Sequence, residues 1–242
     1  MPAPRSPFQT GTSEPTFQGS TQRLSLRDEP LTAEKFIVVV RHGLTTWNEN
    51  KRIQGDSDEA TLTPFGEEQA ERVRQALSHK HFDSCFVSPI QRAYKFAQII
   101  WGDRNYPLIP YERLKEANLG WLQGMSNADA ARDHPEEFKL WRERPADFWL
   151  DKHHNPLNEV FERAKEVWAD VLAAEGTSHL LVTHKSIMRA MMCVALGLPT
   201  SSFRAVEINN GGVSIFRINT KGEPMLVNLN MTAHMHAKDV IY

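Results

Sequence analysis

The 242-residue sequence predicts an α/β fold, a three-layer sandwich whose central sheet is mostly parallel and carries helices on both faces. Three observations predict it. Residues Phe36–Val40 form an unbroken apolar run rich in β-branched side chains, the pattern of a strand covered on both faces rather than one. Downstream of it, short strand-like runs alternate with stretches that keep helical spacing. Thr-Pro, Ser-Pro and Gly-Leu-Pro sequences stand between them, where helices are capped or stopped.

Residues 1–34 are rich in Ser, Thr and Pro and poor in large apolar groups, which leaves too little burial to offset ordering entropy. They are expected to form a flexible tail. Arg5, Arg23 and Arg27 among hydroxyl residues suit a plastid transit segment, whereas Glu14, Asp28, Glu29 and Glu34 break the acid-poor rule for such segments. The domain proper is expected over 35–242. Thr63 reads as an N-cap with Pro64 at the first helical position, opening a helix to about Ser78. "SCFVS" at 84–88 is a second strand, and Ser88-Pro89 repeats the cap-plus-proline signal for a helix over 89–101. Leu157, Val160, Phe161, Ala164, Val167, Trp168, Val171 and Leu172 share one helical face, and Gly176 stops that helix. "SHLLVTH" at 178–184 is a third strand, followed by a helix through Leu196 that ends at Gly197. "GVSIFRIN" and "PMLVNLN" form a hairpin about Lys221-Gly222.

The bulk numbers narrow the function. A hydrophobic content of 40% over this length supports one substantial core. A formal charge of −2 and a pI near 6.6 show no basic excess of the kind that gathers counterion-release energy, so no nucleic-acid partner is expected. Cys85 and Cys193 belong to no C-x-x-C pair and fit a reducing compartment. No apolar run reaches the roughly 18 residues that cross a bilayer, so a soluble intracellular protein is expected, in the cytoplasm or the chloroplast stroma. A homodimer is left open.

In sheets of this kind ligands bind beyond the carboxyl ends of the strands. Val40 runs into Arg41-His42 and Val182 into Thr183-His184, while the strand ending at Ser88 leads to Arg92. Two imidazoles and two guanidiniums can therefore converge on one rim. That is a site for a group with several anionic oxygens, above all phosphate, which the arginine fork matches with two parallel bonds.

These residues carry a resemblance. "RHGLTTWNENKRIQGD" resembles the signature of the histidine phosphatase superfamily, the phosphoglycerate-mutase-like group, and "LTPFGEEQA", "SPIQRA", "LKEANLGWLQG" and "VTHKSIMRAMMCVALGLP" continue it in the family's order. The resemblance implies a phosphoglycerate-mutase-like sandwich with a helical cap insertion at about 117–156. It implies His42 as nucleophile, Arg41, Arg92 and His184 as phosphoryl ligands, and Glu116 as proton donor. It puts Thr45, Asn48, Gln54 and Gly55 in the loop that touches the substrate or closes over it.

The physical chemistry of those roles is self-consistent. Neutral imidazole attacks phosphorus only with one ring nitrogen free, so the other should donate to a fixed acceptor, a backbone carbonyl in the Arg41–Leu44 loop. Cationic donors offset the charge that repels the attacker. Glu116 must be protonated to serve the leaving oxygen, which the charge of a nearby phosphate favours. No metal and no cofactor is required. His153-His154 and His234-Met235-His236 lack further ligands at metal spacing and read as a loop and a tail. The aromatics in "FKLWRERPADFW" at 138–149 are expected to form a helical core patch or a cover over the pocket.

The expected reaction is hydrolysis of a small phosphorylated metabolite, a sugar phosphate or sugar-acid phosphate, through a phosphohistidine. The alternatives are a mutase-type phosphotransferase and an inactive phospho-ligand binder. Cofactor-dependent mutases of the family keep an Arg, an aromatic and a Lys where this sequence has Ala117, Leu119 and Asn127, although "LQG" at 122–124 is shared with them. "IIWGDRN", "LWRERPADFWLD" and "NGGVSIF" are similar to the plastid 2-carboxyarabinitol 1-phosphate phosphatases and related plant proteins. One departure is Lys185, which follows the second histidine where the family usually has Gly.

Overall fold

The structure, a computed structural model, describes residues 24–235. Its sheet has six strands: β1 (Lys35–Arg41), β2 (Ser84–Val87), β3 (Leu108–Pro110), β4 (Ser178–Thr183), β5 (Val213–Ile218) and β6 (Pro224–Met231). They lie in the order β3-β2-β4-β1-β5-β6. The pairs β1–β4, β4–β2 and β2–β3 are parallel, and the hairpin β5–β6 adds on antiparallel beside β1. The helices are α1 (Thr46–Glu49), α2 (Pro64–Ala76), α3 (Gln91–Trp101), α4 (Asn127–Asp133), α5 (Pro135–Glu143), α6 (Pro156–Ala173) and α7 (Lys185–Leu196).

β1 is buried on both faces, as its unbroken apolar run requires. Val38 and Val40 join Leu180 and Val182 in a core closed by Ala70 and Val73 of α2 and by Phe96, Ala97 and Ile100 of α3. Ile37 and Val39 face the other way with Leu181 and Phe216, onto α6 and α7. Three layers result. The register pairs Val40 with Val182 and Arg41 with Thr183, and Val87 with the same Val182, so the residues after these three strands emerge at one level of one rim.

The motif "LTPFGEEQA" is explained by contact with the loop after β1. Thr63 accepts the Gly66 N–H at 3.0 Å as N-cap, and Pro64 occupies the first turn, where its missing N–H is not needed. Buried Gln69 accepts the Leu44 N–H at 2.8 Å. A Cβ on Gly66 would stand 2.2 Å from the Leu44 carbonyl oxygen, and one on Gly43 would stand 2.5 Å from the Gly66 oxygen. Backbone touches backbone here, and the start of α2 supports the Arg41–Leu44 turn.

Several expectations are corrected. Ser88-Pro89 does not open α3: the helix begins at Gln91, Ile90 stands at its cap without a side-chain bond, and the Ser88 hydroxyl turns to His184. β3 was not anticipated, because it is a three-residue edge strand ending in proline. Residues 24–34, expected to be flexible, lie against the domain, with Leu31 buried and the Leu26 and Leu31 N–H groups bonded to the β5–β6 turn at Gly222 and Thr220. The transit-segment expectation falls mainly on residues 1–23, which lie outside the described residues. In the 138–149 stretch, Trp141 and Phe148 are buried with ring centroids 5.6 Å apart, joining α5 to the α6–α7 core, while Phe138 and Trp141 also line the cleft described below. Among the described residues no helix is long and apolar enough to cross a membrane.

Gly66→Ala is expected to lower stability by about 1–3 kcal/mol through overpacking and to displace the loop that carries His42. Urea unfolding and a phosphate-release assay check the two effects.

Candidate active site

Arg41 ends β1 and His42 follows it, 2% exposed, under the loop. The His42 Nδ1 lies 2.7 Å from the Gly43 carbonyl oxygen, which can only accept, so Nδ1 carries the proton and Nε2 is left with its lone pair. The same carbonyl accepts from Asn210 Nδ2 at 2.9 Å, and Asn210 also holds the His42 carbonyl at 3.1 Å. The Gly211 N–H donates to the Arg41 carbonyl at 3.1 Å. The Asn209–Gly212 turn before β5 therefore clamps the histidine loop from the side opposite α2.

His184 reaches the same point from β4. The two imidazole centroids are 5.0 Å apart in an edge-to-face arrangement. Ser88 Oγ is 2.7 Å from His184 Nε2 and accepts the Ile90 N–H at 3.3 Å. The hydroxyl proton is thus available to Nε2, which leaves the His184 proton on Nδ1. Arg92, 1% exposed, donates to the carbonyls of Gly55 and Ser57, both at 2.6 Å. Arg41 donates to Ile208 O at 2.7 Å.

Each of these groups is held by one end and has one end left over. Arg41 Nε, Arg92 Nε and His184 Nδ1 are buried with no hydrogen-bond partner. A buried N–H without an acceptor is costly, by about 1–3 kcal/mol, so three at one place define an anion site. Burial, then the charges of Arg92 and Arg41, hold His42 well below the ordinary imidazole value. Burial followed by Arg92 does the same to His184. Burial lowers both guanidiniums to about 10, with Glu116 acting in the opposite direction, and at neutral pH they stay cationic. The two rings are consequently neutral, His42 with a free lone pair on Nε2 and His184 with an unpartnered N–H on Nδ1.

Glu116 sits above this floor. Its carboxylate accepts the N–H of Ser186, in the first turn of α7, at 3.0 and 3.1 Å, and the N–H of Ala117 at 2.8 Å. It lines a cleft of about 360 Å³ together with Arg41, Asn48, Gln54 and Gly55. Gly55 has φ +51°, and a Cβ there would lie 1.9 Å from Gln123 Oε1, so the position requires glycine. Gln123 Oε1 in turn accepts the Asp56 N–H at 2.8 Å, and the Gly124 N–H donates to Ile53 O at 2.9 Å. "LQG" is a brace for the loop that grips Arg92. Thr45 differs from expectation. It is fully buried and does not line the cleft; its hydroxyl, 3.0 Å from both Asn48 Oδ1 and Gln54 Oε1, caps α1 and orders those two side chains.

Asn210, Arg142, Arg189, Arg204 and Glu207 were not singled out from the sequence, and Ser88 was read only as a helix cap. Lys185, the departure after the second histidine, lines the cleft and is ion-paired with Glu207, which also binds Arg189 at 2.9 Å. Burial, then the neighbouring Arg41, lower Lys185 to about 8. Among the described residues no three His, Cys, Asp or Glu side chains group as metal ligands, and His236 lies outside them.

The fold and this constellation define a class, and comparison with known proteins agrees. The profile of the histidine phosphatase superfamily, branch 1, matches residues 37–232. The chain belongs to that family. It is 43% identical over 192 residues to a probable 2-carboxy-D-arabinitol-1-phosphatase of Arabidopsis thaliana, an alignment covering 79% of this chain and 40% of that protein. It is 30% identical over 200 residues to phosphoserine phosphatase 1 of Hydrogenobacter thermophilus, covering 82% and 93%. YhfR of Bacillus stearothermophilus superposes with a TM-score of 0.78 at 24% identity over 84% of this chain and all of that one, which shows the shared fold. The chain spans about two-fifths of the length of the plant relative.

Ser88→Ala removes the partner of His184 Nε2 and frees the ring to choose its other tautomer. Phosphate release is expected to slow by roughly 10- to 100-fold, with inorganic phosphate bound more weakly, as steady-state kinetics and calorimetry would show. His42 and His184 take up protons in the unfolded chain near the ordinary value of 6.5 and resist them in the fold. The stability they contribute is therefore present above that value and lost as pH falls, by up to about 1.4 kcal/mol per pH unit for each ring. The urea midpoint should drop between pH 7 and pH 5, and His184→Asn should flatten the slope.

Proposed function

We propose that this protein is a phosphomonoester hydrolase acting on a small phosphorylated metabolite, a sugar phosphate or sugar-acid phosphate, through a phosphohistidine. One observation carries the reading: His42 Nδ1 is bonded to the Gly43 carbonyl, which leaves Nε2 free, while the neighbouring Arg41, Arg92 and His184 each keep a buried N–H without a partner. In the first step the His42 Nε2 lone pair attacks phosphorus and the ester P–O bond breaks. Arg41, Arg92 and His184 hold the equatorial oxygens as charge spreads over them. Glu116, protonated, gives its proton to the leaving alkoxide. In the second step Glu116 as carboxylate takes a proton from water, water oxygen bonds to phosphorus, and the P–N bond returns its electron pair to His42. Inorganic phosphate and the free enzyme result.

Transfer to a second substrate is less well supported. Ala117 is fully buried and Leu119 nearly so, and neither can hold a second phosphate. "LQG", shared with mutases, braces the Arg92-binding loop. The complete set of His42, Arg41, Arg92, His184 and Glu116 argues against a binder without activity. The plant relative supports the sugar-acid choice and, with it, the chloroplast stroma or the cytoplasm as the setting; a homodimer belongs to the same proposal, read by gel filtration. The partner is a small molecule, since the near-neutral charge offers nucleic acid little.

With para-nitrophenyl phosphate and a panel of sugar phosphates, His42→Ala should release no phosphate above background. Glu116→Gln should lower kcat by roughly 10²- to 10⁴-fold, and a substrate with a good leaving group should be affected least. Rapid quenching of Glu116→Gln should trap an acid-labile phosphoryl group on His42, seen by mass spectrometry. Turnover retained by His42→Ala would refute the reading.

A further inference from the structure

The cleft holds more positive charge than one phosphate needs. Six cations line it, Arg41, Arg52, Arg142, Lys185, Arg189 and Arg204, against two carboxylates, Glu116 and Glu207. Arg92 adds a further cation from beneath. A phosphate dianion on the floor neutralises two of these charges. The surplus is concentrated away from the floor, where α5, the start of α7 and the segment after α7 meet.

We propose that Lys185, Arg142 and Arg204 form a second anion subsite, and that it takes a carboxylate carried by the same molecule whose phosphate lies against His42. This rests on the phosphatase reading and adds the substrate class to it. Lys185 follows His184 directly, so its position beside the phosphate is dictated by the chain. Besides this cleft it lines an adjoining recess of about 350 Å³, with Arg41, Asn48, Arg142 and Glu207 on both walls. Its partner Glu207 is already matched by Arg189, which is itself buried and donates to Val206 O at 2.7 Å. Lys185 can thus turn to a ligand without leaving Glu207 unpaired.

Arg204 is prepared for the same purpose. Its guanidinium is stacked 5.0 Å from the Trp141 ring centroid and 5.6 Å from that of Phe203, and one nitrogen donates to the Trp141 carbonyl. Its Nε is buried with no partner. Burial first, then the nearby Arg189 and Arg142, lower it to about 10. Arg142, one residue after Trp141 on α5, is exposed and makes no hydrogen bond or ion pair among the described residues. A planar fork fixed by stacking suits a planar carboxylate. The cations that mutases of the family place after the proton donor are replaced here by Ala117 and Asn127. A different set, from α5, the start of α7 and the segment after α7, fills the charge requirement.

The test separates binding from turnover. In the His42→Ala protein, calorimetry compares gluconate 6-phosphate with sorbitol 6-phosphate, which differ by a carboxylate in place of CH₂OH. Fructose 1,6-bisphosphate is compared with fructose 6-phosphate in the same way. The expected result is an acid bound about tenfold or more tightly than its neutral counterpart, the range of one charge-assisted bond. Arg142→Met and Lys185→Met should each bring that ratio toward one. Arg142 is exposed, so its variant tests the proposal even where Lys185→Met folds poorly. Equal affinities, or a ratio unmoved by both variants, would overturn the subsite. A gain for the second phosphate with none for the carboxylate would overturn the carboxylate assignment. Parallel turnover by the intact enzyme keeps the two readings apart: no phosphate release from any ester counts against the hydrolase, whereas release without acid selectivity counts against the subsite.

Discussion

Arg41 and Arg92 are charged side chains held almost wholly out of water, and the rest of the molecule is arranged to make that tolerable. A buried guanidinium is costly unless its N–H groups find acceptors. Carbonyls of Ile208, Gly55 and Ser57 supply part of the set. The Nε of each remains without one, so the protein retains an electrostatic deficit that an incoming anion offsets. The same two cations, with burial, keep both imidazoles neutral, and the site is therefore ready for a phosphoryl group before one arrives.

This arrangement places strict demands on backbone geometry, which is why its supports are glycines and amides. Gly43 and Gly66 let the loop after β1 rest directly on the first turn of α2. Gly55 lets the Arg92-binding loop turn over Gln123. Asn210 and Gly211 close the remaining side. Around a floor fixed in this way, the 117–156 stretch contributes both the Gln123 and Gly124 contacts that brace the loop gripping Arg92 and, on α5, groups such as Arg142 that line the cleft.

The fold was largely legible in the sequence because its signals are local. Five consecutive apolar residues of β1 must be covered on both sides. Thr63-Pro64 and Gly197 act within one turn of the helix they limit. The misreadings come from distant contacts or from elements too short to show a pattern: Ser88 has the composition of a cap, but the imidazole of His184, far away in the chain, competes for its hydroxyl, and β3 is too short to carry a period. Leu31 is one apolar residue in a polar segment, and only the β5–β6 turn gives it somewhere to go.

The residues of the anion site were visible because three strands that end at one level must deliver their next residues to one rim. Chain order and strand direction are enough for that. Glu116 and the Lys185–Glu207–Arg189 group are different: their meeting depends on how the segment after β3, the start of α7 and the loop after α7 pack, and no spacing in the sequence encodes it. By itself the sequence determined the layers and the convergence of two imidazoles and two guanidiniums on one rim, since these derive from periodicity and strand polarity. Only the tertiary structure decided which nitrogen of each imidazole is free, which guanidinium protons lack acceptors and where the surplus charge gathers, because those are properties of distances between residues far apart in the chain.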